Sequence, residues 1–172
     1  MLELIPKIEK LSKWSGIAVS WLILALVAEL VYDTAARYLF NAPTVWSFDV
    51  SYMLYGTLFI LGGAYTLHYK RHIRVDLLYT RLSKRGKAFV DLFGYLIFFF
   101  PIVGVLVIHG VLFTYESWVS MEHASITYWA PILWWFKATI PLGGLLLLLQ
   151  GIAEFSRVIR DLCGGQLTGK ET

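Results

Sequence analysis

Three charged side chains in the first quarter of the chain are spaced so that they could act together. Glu29, Asp33 and Arg37 stand four residues apart in an otherwise apolar stretch, a spacing that puts them on one stripe of a helix. A charge near the centre of a bilayer costs at least about 3 kcal/mol, so carboxylates inside a membrane are candidates for functional groups. The stripe thus supports one chemical hypothesis, a proton or cation site like that of a small coupled transporter.

A structural interpretation of the same stripe competes with the transport hypothesis. In it, Arg37 neutralises Asp33 near the membrane surface, and Glu29 is protonated or hydrogen-bonded to a neighbouring helix. We prefer this interpretation because the sequence places neither an opposing cation nor a second acidic helix at the same depth.

The histidines suggest a haem site, because haem iron in proteins is commonly held by histidine. His68 ends one apolar stretch and His109 comes near the end of the next, which runs in the opposite direction. The two rings are therefore predicted to lie near opposite membrane faces, where they cannot share one iron. His72 and His123 fall in loops on opposite sides. A haem-binding anchor of a membrane enzyme is disfavoured for this reason.

Motifs of enzymes are absent from the sequence. It contains no Ser/His/Asp nucleophile elbow, no H-E-x-x-H zinc helix and no glycine-rich phosphate loop that leads into a helix. Its single cysteine, Cys163, can form neither an intrachain disulfide nor a cysteine metal site. We therefore predict no catalytic residues, no metal ligands and no cofactor in this chain, and we predict that it is not an enzyme.

Long apolar segments must position these side chains. Hydrophobic residues make up 58% of the 172 residues and charged residues only 16%, below the roughly 25% usual in soluble domains. About 20 apolar residues cross a hydrocarbon core, and four segments reach that length, at about 14–36, 45–67, 89–115 and 129–154. The sequence predicts an all-α integral membrane protein in which residues 1–172 form a single domain with four transmembrane helices.

The distribution of cations predicts how the chain is oriented. All but two of the 15 lysines and arginines lie before the first span, between the second and third, or after the fourth. Because such loops face the cytoplasm, both termini and the central loop are predicted to be cytoplasmic. Four central-loop cations are expected to anchor it there: Lys70, Arg71, Arg81 and Arg85. Because retention of the loop on the cytoplasmic side already accounts for these cations, nucleic-acid binding is not expected.

Amphipathic segments and aromatic residues are expected at the membrane surfaces. Residues 3–13 and 74–86 place apolar side chains at helical spacing opposite cationic ones, which predicts two helices lying on the inner membrane surface. Tryptophan favours the headgroup layer. Trp14 is expected at the inner boundary, and Trp129, Trp134 and Trp135 at the outer one.

Two ordered segments around the second span resemble a known family. "RYLFNAPTVWSFDV" at 37–50 and "LGGAYTLHYKRHIRVDLLY" at 61–79 are similar to the small permease subunit (Q-type, DctQ-like) of tripartite ATP-independent periplasmic (TRAP) transporters. The candidate family-motif or interface positions are Glu29, Asp33, Arg37, Tyr38, Asn41, Pro43, Trp46, Asp49, His72, Arg74 and Asp76. Glu29 and Asp33 are interface candidates that lie outside the two similar segments. Phe48 departs from the pattern, since many members have two successive acidic residues there, and a role that needs both carboxylates is in doubt.

The resemblance implies a function and partners. A small subunit of this family is a non-catalytic scaffold in the bacterial cytoplasmic (inner) membrane, packed against a large multi-span subunit that translocates the substrate. A periplasmic binding protein delivers an organic anion, usually a carboxylate, and the complex uses a sodium gradient. Membrane lipids are further expected partners. Glu29, Gln150 and Lys137 lack evident partners in their own apolar stretches, and the resemblance implies that they find partners on the large subunit. Glu29, Asp33, Arg37 and Asp49 would belong to the outer part of the subunit, and His72 and Asp76 would fix the turn after the second span.

An alternative from a different class stays open on the residues alone. A self-contained, oligomeric small transporter or channel could use Glu29 and Asp33 directly. Copurification with a much larger membrane protein would distinguish the scaffold from this alternative.

Overall fold

The fold is a bundle of long helices. The computed structural model describes residues 4–69 and 84–163, and within these ranges the regular elements are helical, apart from one isolated β-bridge between His123 and Ile132. The helices are α1 (Leu4–Leu39), α2 (Ser47–His68), α3 (Lys84–Phe93), a π-helical segment (Gly94–Phe99), α4 (Phe100–Val119), α5 (Trp134–Lys137) and α6 (Thr139–Cys163).

The predicted fold class is confirmed. In the described part of the chain, four helical segments are long and apolar enough to cross a membrane: Ile5–Leu39, Ser47–His68, Phe89–Val119 and Trp134–Arg160. They pack in the spatial order first, second, fourth and third span, and the fourth span also contacts the first. Among the described residues, buried positions hold polar side chains as often as apolar ones. This is expected of a membrane bundle, because its apolar side chains can remain on the outer surface, facing lipid or a partner.

The first helix is longer than predicted. The expected surface helix at 3–13 is not a separate element, because α1 runs unbroken for 36 residues from Leu4 to Leu39. Its one proline, Pro6, lies in the first turn. Amides of that turn have no acceptor within the helix, so proline's missing amide proton costs no hydrogen bond there. The second expected surface helix, at 74–86, falls outside the described residues except for its last three positions, which begin α3.

The fourth span begins later than its apolar composition suggests. Residues 129–133 belong to a folded loop at 120–133, in which the amides of Ala124 and Leu133 donate to the carbonyls of Pro131 and Glu122 at 2.9 Å each. Met121 and Ala130 adopt positive φ angles of 48° and 44°, a conformation that ends helices. Composition alone cannot separate such an apolar loop from the helix that follows it.

Prolines account for the irregular helix in the third span. Pro101 lacks an amide proton and its ring crowds the carbonyl of the preceding turn. The segment Gly94–Phe99 directly before it is π-helical, and such a wider turn relieves this conflict. A related break separates α5 from α6 at Ala138, three residues before Pro141.

Candidate functional site

The polar side chains of the described residues gather at the two ends of the bundle. One end, which we call the loop end, holds residues 40–46 and the loop 120–133. The other, the terminal end, is where α1 begins and where α2 and α6 end. The predicted acidic residues lie at the loop end, and a second polar cluster that the sequence did not reveal lies at the terminal end.

Glu29 is buried between α1 and α2. Its side chain has 8% of its surface exposed, and its two carboxylate oxygens accept hydrogen bonds from the hydroxyls of Ser47 and Ser51. The two serines stand four residues apart at the start of α2, so they share one face of that helix. The arrangement is the one described by the structural interpretation, a carboxylate hydrogen-bonded to a neighbouring helix.

Asp33 joins α1 to the loop that follows it. Its Oδ2 accepts a hydrogen bond from Arg37 Nη2 at 2.8 Å, and its Oδ1 accepts one from the Thr44 hydroxyl. The loop leaves α1 at Asn41, whose φ of 50° lies in the left-handed region that asparagine tolerates better than most residues. Thr44 is thereby brought back to the carboxylate, and Asp33 is 9% exposed.

Asp49 connects α2 to the second loop. It lies in the first turn of α2, where a negative charge is favoured by the helix dipole, and its Oδ2 accepts a hydrogen bond from Thr127. It is 2% exposed. Trp46, just before this turn, stacks on Tyr32 of α1 with ring centroids 5.9 Å apart. Through these contacts the start of α2 is fixed to both α1 and the loop 120–133.

Lys137 is a buried cation with partners in its own chain. Its ammonium forms an ion pair with Glu122 and lies 3.7 Å from the centroid of the Phe113 ring, within the range of a cation–π interaction. The hydrogen bond from Lys137 holds the pKa of the Glu122 carboxyl below its usual value of 4.5. The expectation that Lys137, Glu29 and Gln150 need partners on another protein is wrong, because each is bound within this chain.

The remaining predicted positions are exposed or lie outside the described residues. Tyr38, Asn41 and Pro43 are exposed at the loop end. Lys70, Arg71, His72, Arg74, Asp76 and Arg81 fall outside the described residues, and of Arg85 only the backbone is described. The expected anchors are at least partly exposed: Trp14 at 66%, Trp129 at 47%, Trp134 at 38% and Trp135 at 47%. Their membrane-anchoring role stays a prediction.

The terminal end carries a polar network from three helices. Ser12 of α1 donates to Gln150 Oε1 of α6 at 2.8 Å, and the Gln150 amide lies 3.4 Å from His68 Nδ1 of α2. Glu154 is 3.4 Å from the same amide and accepts a hydrogen bond from Arg157 at 3.0 Å. The network then reaches back to α1.

Arg157 closes this network. It forms an ion pair with Glu9 of α1 in addition to the one with Glu154. Gln150 is fully buried and Glu154 is 4% exposed. One signal in the sequence could have revealed the α6 part, because Gln150, Glu154 and Arg157 follow one another at spacings of four and three along a helix. The partners on α1 and α2 carry no such signal.

An apolar groove lies beside the loop-end contacts. It runs between α4 and α6, has a volume of about 730 Å³ and includes Val111, Tyr115, Trp118, Trp134 and Leu142 in its wall. Its surface is almost entirely apolar, whereas a site for a small polar ligand places a few polar groups on its wall. The groove therefore does not have the character of a site for an organic anion.

The polar contacts at the loop end join separate elements of the chain. At the loop end each buried carboxylate meets a hydroxyl or a cation that joins two elements of the chain. What this arrangement can do is fix the order and depth of the helices, because a buried polar group left without its partner costs about 1–3 kcal/mol.

Comparison with known proteins gives two matches. Residues 26–161 match the model of the family described as tripartite ATP-independent periplasmic transporters, DctQ component. A 92-residue segment, 54% of the chain, is 26% identical to the sialic acid TRAP transporter permease protein SiaT of Haemophilus influenzae (strain 86-028NP). That segment corresponds to 14% of the length of the relative. The matched residues include both loops of the loop end and the side chains that contact them, among them Glu29 and Lys137.

Proposed function

Since the chain belongs to the family of DctQ components of tripartite ATP-independent periplasmic transporters, we propose that it is the small membrane subunit of such a transporter. In this role it is a non-catalytic scaffold that stabilises a large, substrate-translocating subunit during sodium-driven uptake of organic anions such as carboxylates. The family match is the observation that carries the proposal. The substrate and sodium sites belong to the large subunit.

The pairing of buried charges supports a static role. A carboxylate that carries an ion must exchange partners during transport, whereas a scaffold needs fixed contacts. Both oxygens of Glu29 and both of Asp33 are occupied by side chains of this chain. The same contacts hold α1, α2 and the first loop together, so that a partner would meet a preformed surface.

The outer surface of the bundle supports a membrane partner. Large apolar side chains on three spans point away from the bundle, among them Trp21 at 67%, Phe59 at 71% and Ile108 at 62% exposure. Lipid or another membrane protein must cover such a surface. We propose that the large multi-span subunit covers part of it and that lipid covers the rest. The relative SiaT, far longer than the segment that matches it, is named as a permease protein, in keeping with a large partner.

The proposed location is the bacterial inner membrane, with both termini in the cytoplasm. The support is the segregation of lysines and arginines, of which all but two lie on the side of the termini and the central loop. In this orientation the loop end faces the periplasm, where it would meet the substrate-binding protein.

Reconstitution of uptake tests the proposal. The large subunit is placed in liposomes with or without this chain, the binding protein and a labelled carboxylate are added, and a sodium gradient is imposed. We expect uptake only when all three proteins and the gradient are present, and copurification of this chain with the large subunit. Full uptake without this chain would overturn the proposal.

The same liposomes distinguish the self-contained transporter. This chain alone should give no sodium-dependent uptake, and replacing Glu29 by glutamine should leave uptake by the full complex nearly unchanged. Transport by this chain alone that is lost in Glu29→Gln would favour the alternative.

A further inference from the structure

We propose that the terminal end of the bundle binds a divalent transition-metal ion of the Zn²⁺ type, with Glu9, His68 and Glu154 as its ligands. Each residue offers one ligand atom, and these atoms all lie within 4.8 Å of one another. They come from α1, α2 and α6 respectively. A bound ion would thus join the ends of three helices that are far apart in the sequence.

The ligand types fit a borderline ion better than a hard one. Imidazole nitrogen and carboxylate oxygen both bind Zn²⁺, at about 2.0 to 2.2 Å, whereas Mg²⁺ and Ca²⁺ prefer sites made of oxygen alone. Ligand atoms around an ion at those bond lengths stand about 3.5 Å apart. Side-chain rotations that move each ligand atom by about 1 Å would therefore bring the three atoms to the distances needed around an ion.

Arg157 leaves one oxygen of each carboxylate for a metal. Its guanidinium contacts Oε1 of Glu9 and Oε1 of Glu154, and among the described residues neither Oε2 accepts a hydrogen bond. Carboxylates that ligate metals are commonly held by a second hydrogen bond of this kind, which fixes their direction. Arg157 is therefore a positioning residue in the proposed site.

Gln150 can orient the imidazole of His68. Its fully buried amide lies 3.4 Å from His68 Nδ1. The amide nitrogen faces Nδ1, which therefore accepts and carries no proton, as a ligand atom requires, and an ion at Nδ1 would replace this long contact. The Gln150 oxygen keeps the Ser12 hydroxyl as its donor, and the amide nitrogen keeps Glu154 as its acceptor.

The charges within the ligand cluster also favour a cation. Among the described residues, Arg157 forms ion pairs with both Glu9 and Glu154, so these two carboxylates and one guanidinium carry one net negative charge. Glu154 is buried and Glu9 and His68 are half-buried, and a cation bound there would neutralise this charge. The inference holds whether or not the proposed transport role is correct.

Metal binding to the purified full-length chain tests the proposal. The chain is prepared with an affinity tag that binds no metal, treated with a chelator, and titrated with Zn²⁺, Mn²⁺ and Mg²⁺ in detergent. We expect one Zn²⁺ per chain after gel filtration by elemental analysis, and a midpoint of thermal unfolding that rises with Zn²⁺ concentration. Mg²⁺ should have no such effect. Absence of stoichiometric Zn²⁺ and of the thermal shift would overturn the proposal.

Variants separate this site from adventitious binding. His68→Gln, Glu9→Gln and Glu154→Gln should each lower Zn²⁺ affinity at least about tenfold, while His109→Gln and Cys163→Ser, which change ligands outside the site, should bind as the parent does. Co²⁺ supplies a second measurement, because its visible absorption reports nitrogen and oxygen ligation and should weaken in His68→Gln. Should one variant fail to fold, the other two decide. Unchanged affinity in the folded variants would refute the assignment.

Discussion

Glu29 is held by two serine hydroxyls of α2, and Asp33 by a threonine hydroxyl and an arginine. Single residues at the loop end therefore act as connectors between elements. Hydroxyl partners make this possible inside an apolar bundle, because a neutral donor can satisfy a carboxylate without a second buried charge. Lys137 is instead satisfied by an opposite charge, because the loop 120–133 folds back and places Glu122 beside it.

Replacing Glu29 separates a structural role from an ion-carrying one. Glu29→Ala leaves Ser47 and Ser51 without an acceptor, and we expect a loss of about 1–3 kcal/mol of stability, seen as a lower midpoint of thermal unfolding in detergent. Glu29→Gln retains one carbonyl acceptor and should lose less than half as much. Equal midpoints for the parent and Glu29→Ala would contradict the structural role.

The Lys137–Glu122 pair should make stability depend on pH. The pKa of Glu122 is lowered in the folded state, so the stabilisation is complete above the usual pKa and is lost as pH falls through the lowered value. We expect the difference in unfolding midpoint between the parent and Glu122→Gln to shrink on going from about pH 6 to about pH 3. Glu116→Gln, an exposed neighbour, is the matched control. A difference that is constant over this range would argue against the pair.

Asp49 should be essential for assembly at the loop end. Asp49→Lys removes the acceptor for Thr127 and puts an unpaired cation at a buried position, which costs about 3–5 kcal/mol, so little complex with the large subunit should be recovered and uptake should fall at least about tenfold. Thr127→Val removes the same hydrogen bond without a charge and should have a milder effect. Normal assembly and uptake with Asp49→Lys would count against this role.

At the scale of elements, the helices meet through small residues and short polar bridges. Gly143 of α6 faces Ile60 of α2 so closely that an added Cβ would lie 2.5 Å from its Cγ2 and 2.8 Å from its carbonyl oxygen. Small residues let helix backbones approach in this way. At the terminal end Gln150 adds a polar bridge from α6 to both α1 and α2, so the fourth span fixes the other two.

Glycine substitutions test the approach of α6 to α2. Gly143→Ala should destabilise the bundle by about 1–3 kcal/mol, because the methyl group meets the backbone of α2, which cannot move aside cheaply. Gly104→Ala is the matched control, since no heavy atom lies within 4 Å of the position of its Cβ; it should be neutral or raise stability by up to about 1 kcal/mol. Thermal unfolding of both variants gives the comparison, and equal effects would show that the contact is not tight in solution.

At the scale of the whole molecule, the bundle is polar at its ends and apolar around its sides. The two polar ends fix the helices relative to one another, and the exposed apolar residues between them are left for lipid and for a partner. This distribution suits a scaffold, whose task is to keep its shape while another protein moves.

Cysteine labelling tests the proposed orientation. Cys163 is the single cysteine of the chain, so it reports the side of the C-terminus, and Ser125→Cys in a Cys163→Ser background reports the loop end. A membrane-impermeant maleimide applied to intact spheroplasts should label the Ser125→Cys variant and leave Cys163 unlabelled until the membrane is permeabilised. The reverse pattern would invert the topology.

Sequence patterns predicted the helical class and the four spans, but they placed some boundaries wrongly. Span length and apolarity follow from the thickness of the membrane, which acts on every residue alike. The start of the fourth span was wrong because Trp129 to Leu133 are as apolar as the helix that follows them. Whether an apolar segment forms a helix there depends on the hydrogen bonds of the loop 120–133, which involve residues on both sides of its turn.

By itself, the sequence determined that this protein is a four-span helical membrane protein, and its motifs pointed to the family. Only the tertiary structure decided the partners of its buried charges. The spacing of Glu29, Asp33 and Arg37 follows from the helix repeat and is readable locally. Their hydroxyl partners, and the convergence of Glu9, His68 and Glu154, depend on how distant helices pack. Contacts between segments that are far apart in the sequence produce no local spacing pattern, so they could be identified only from the packed structure.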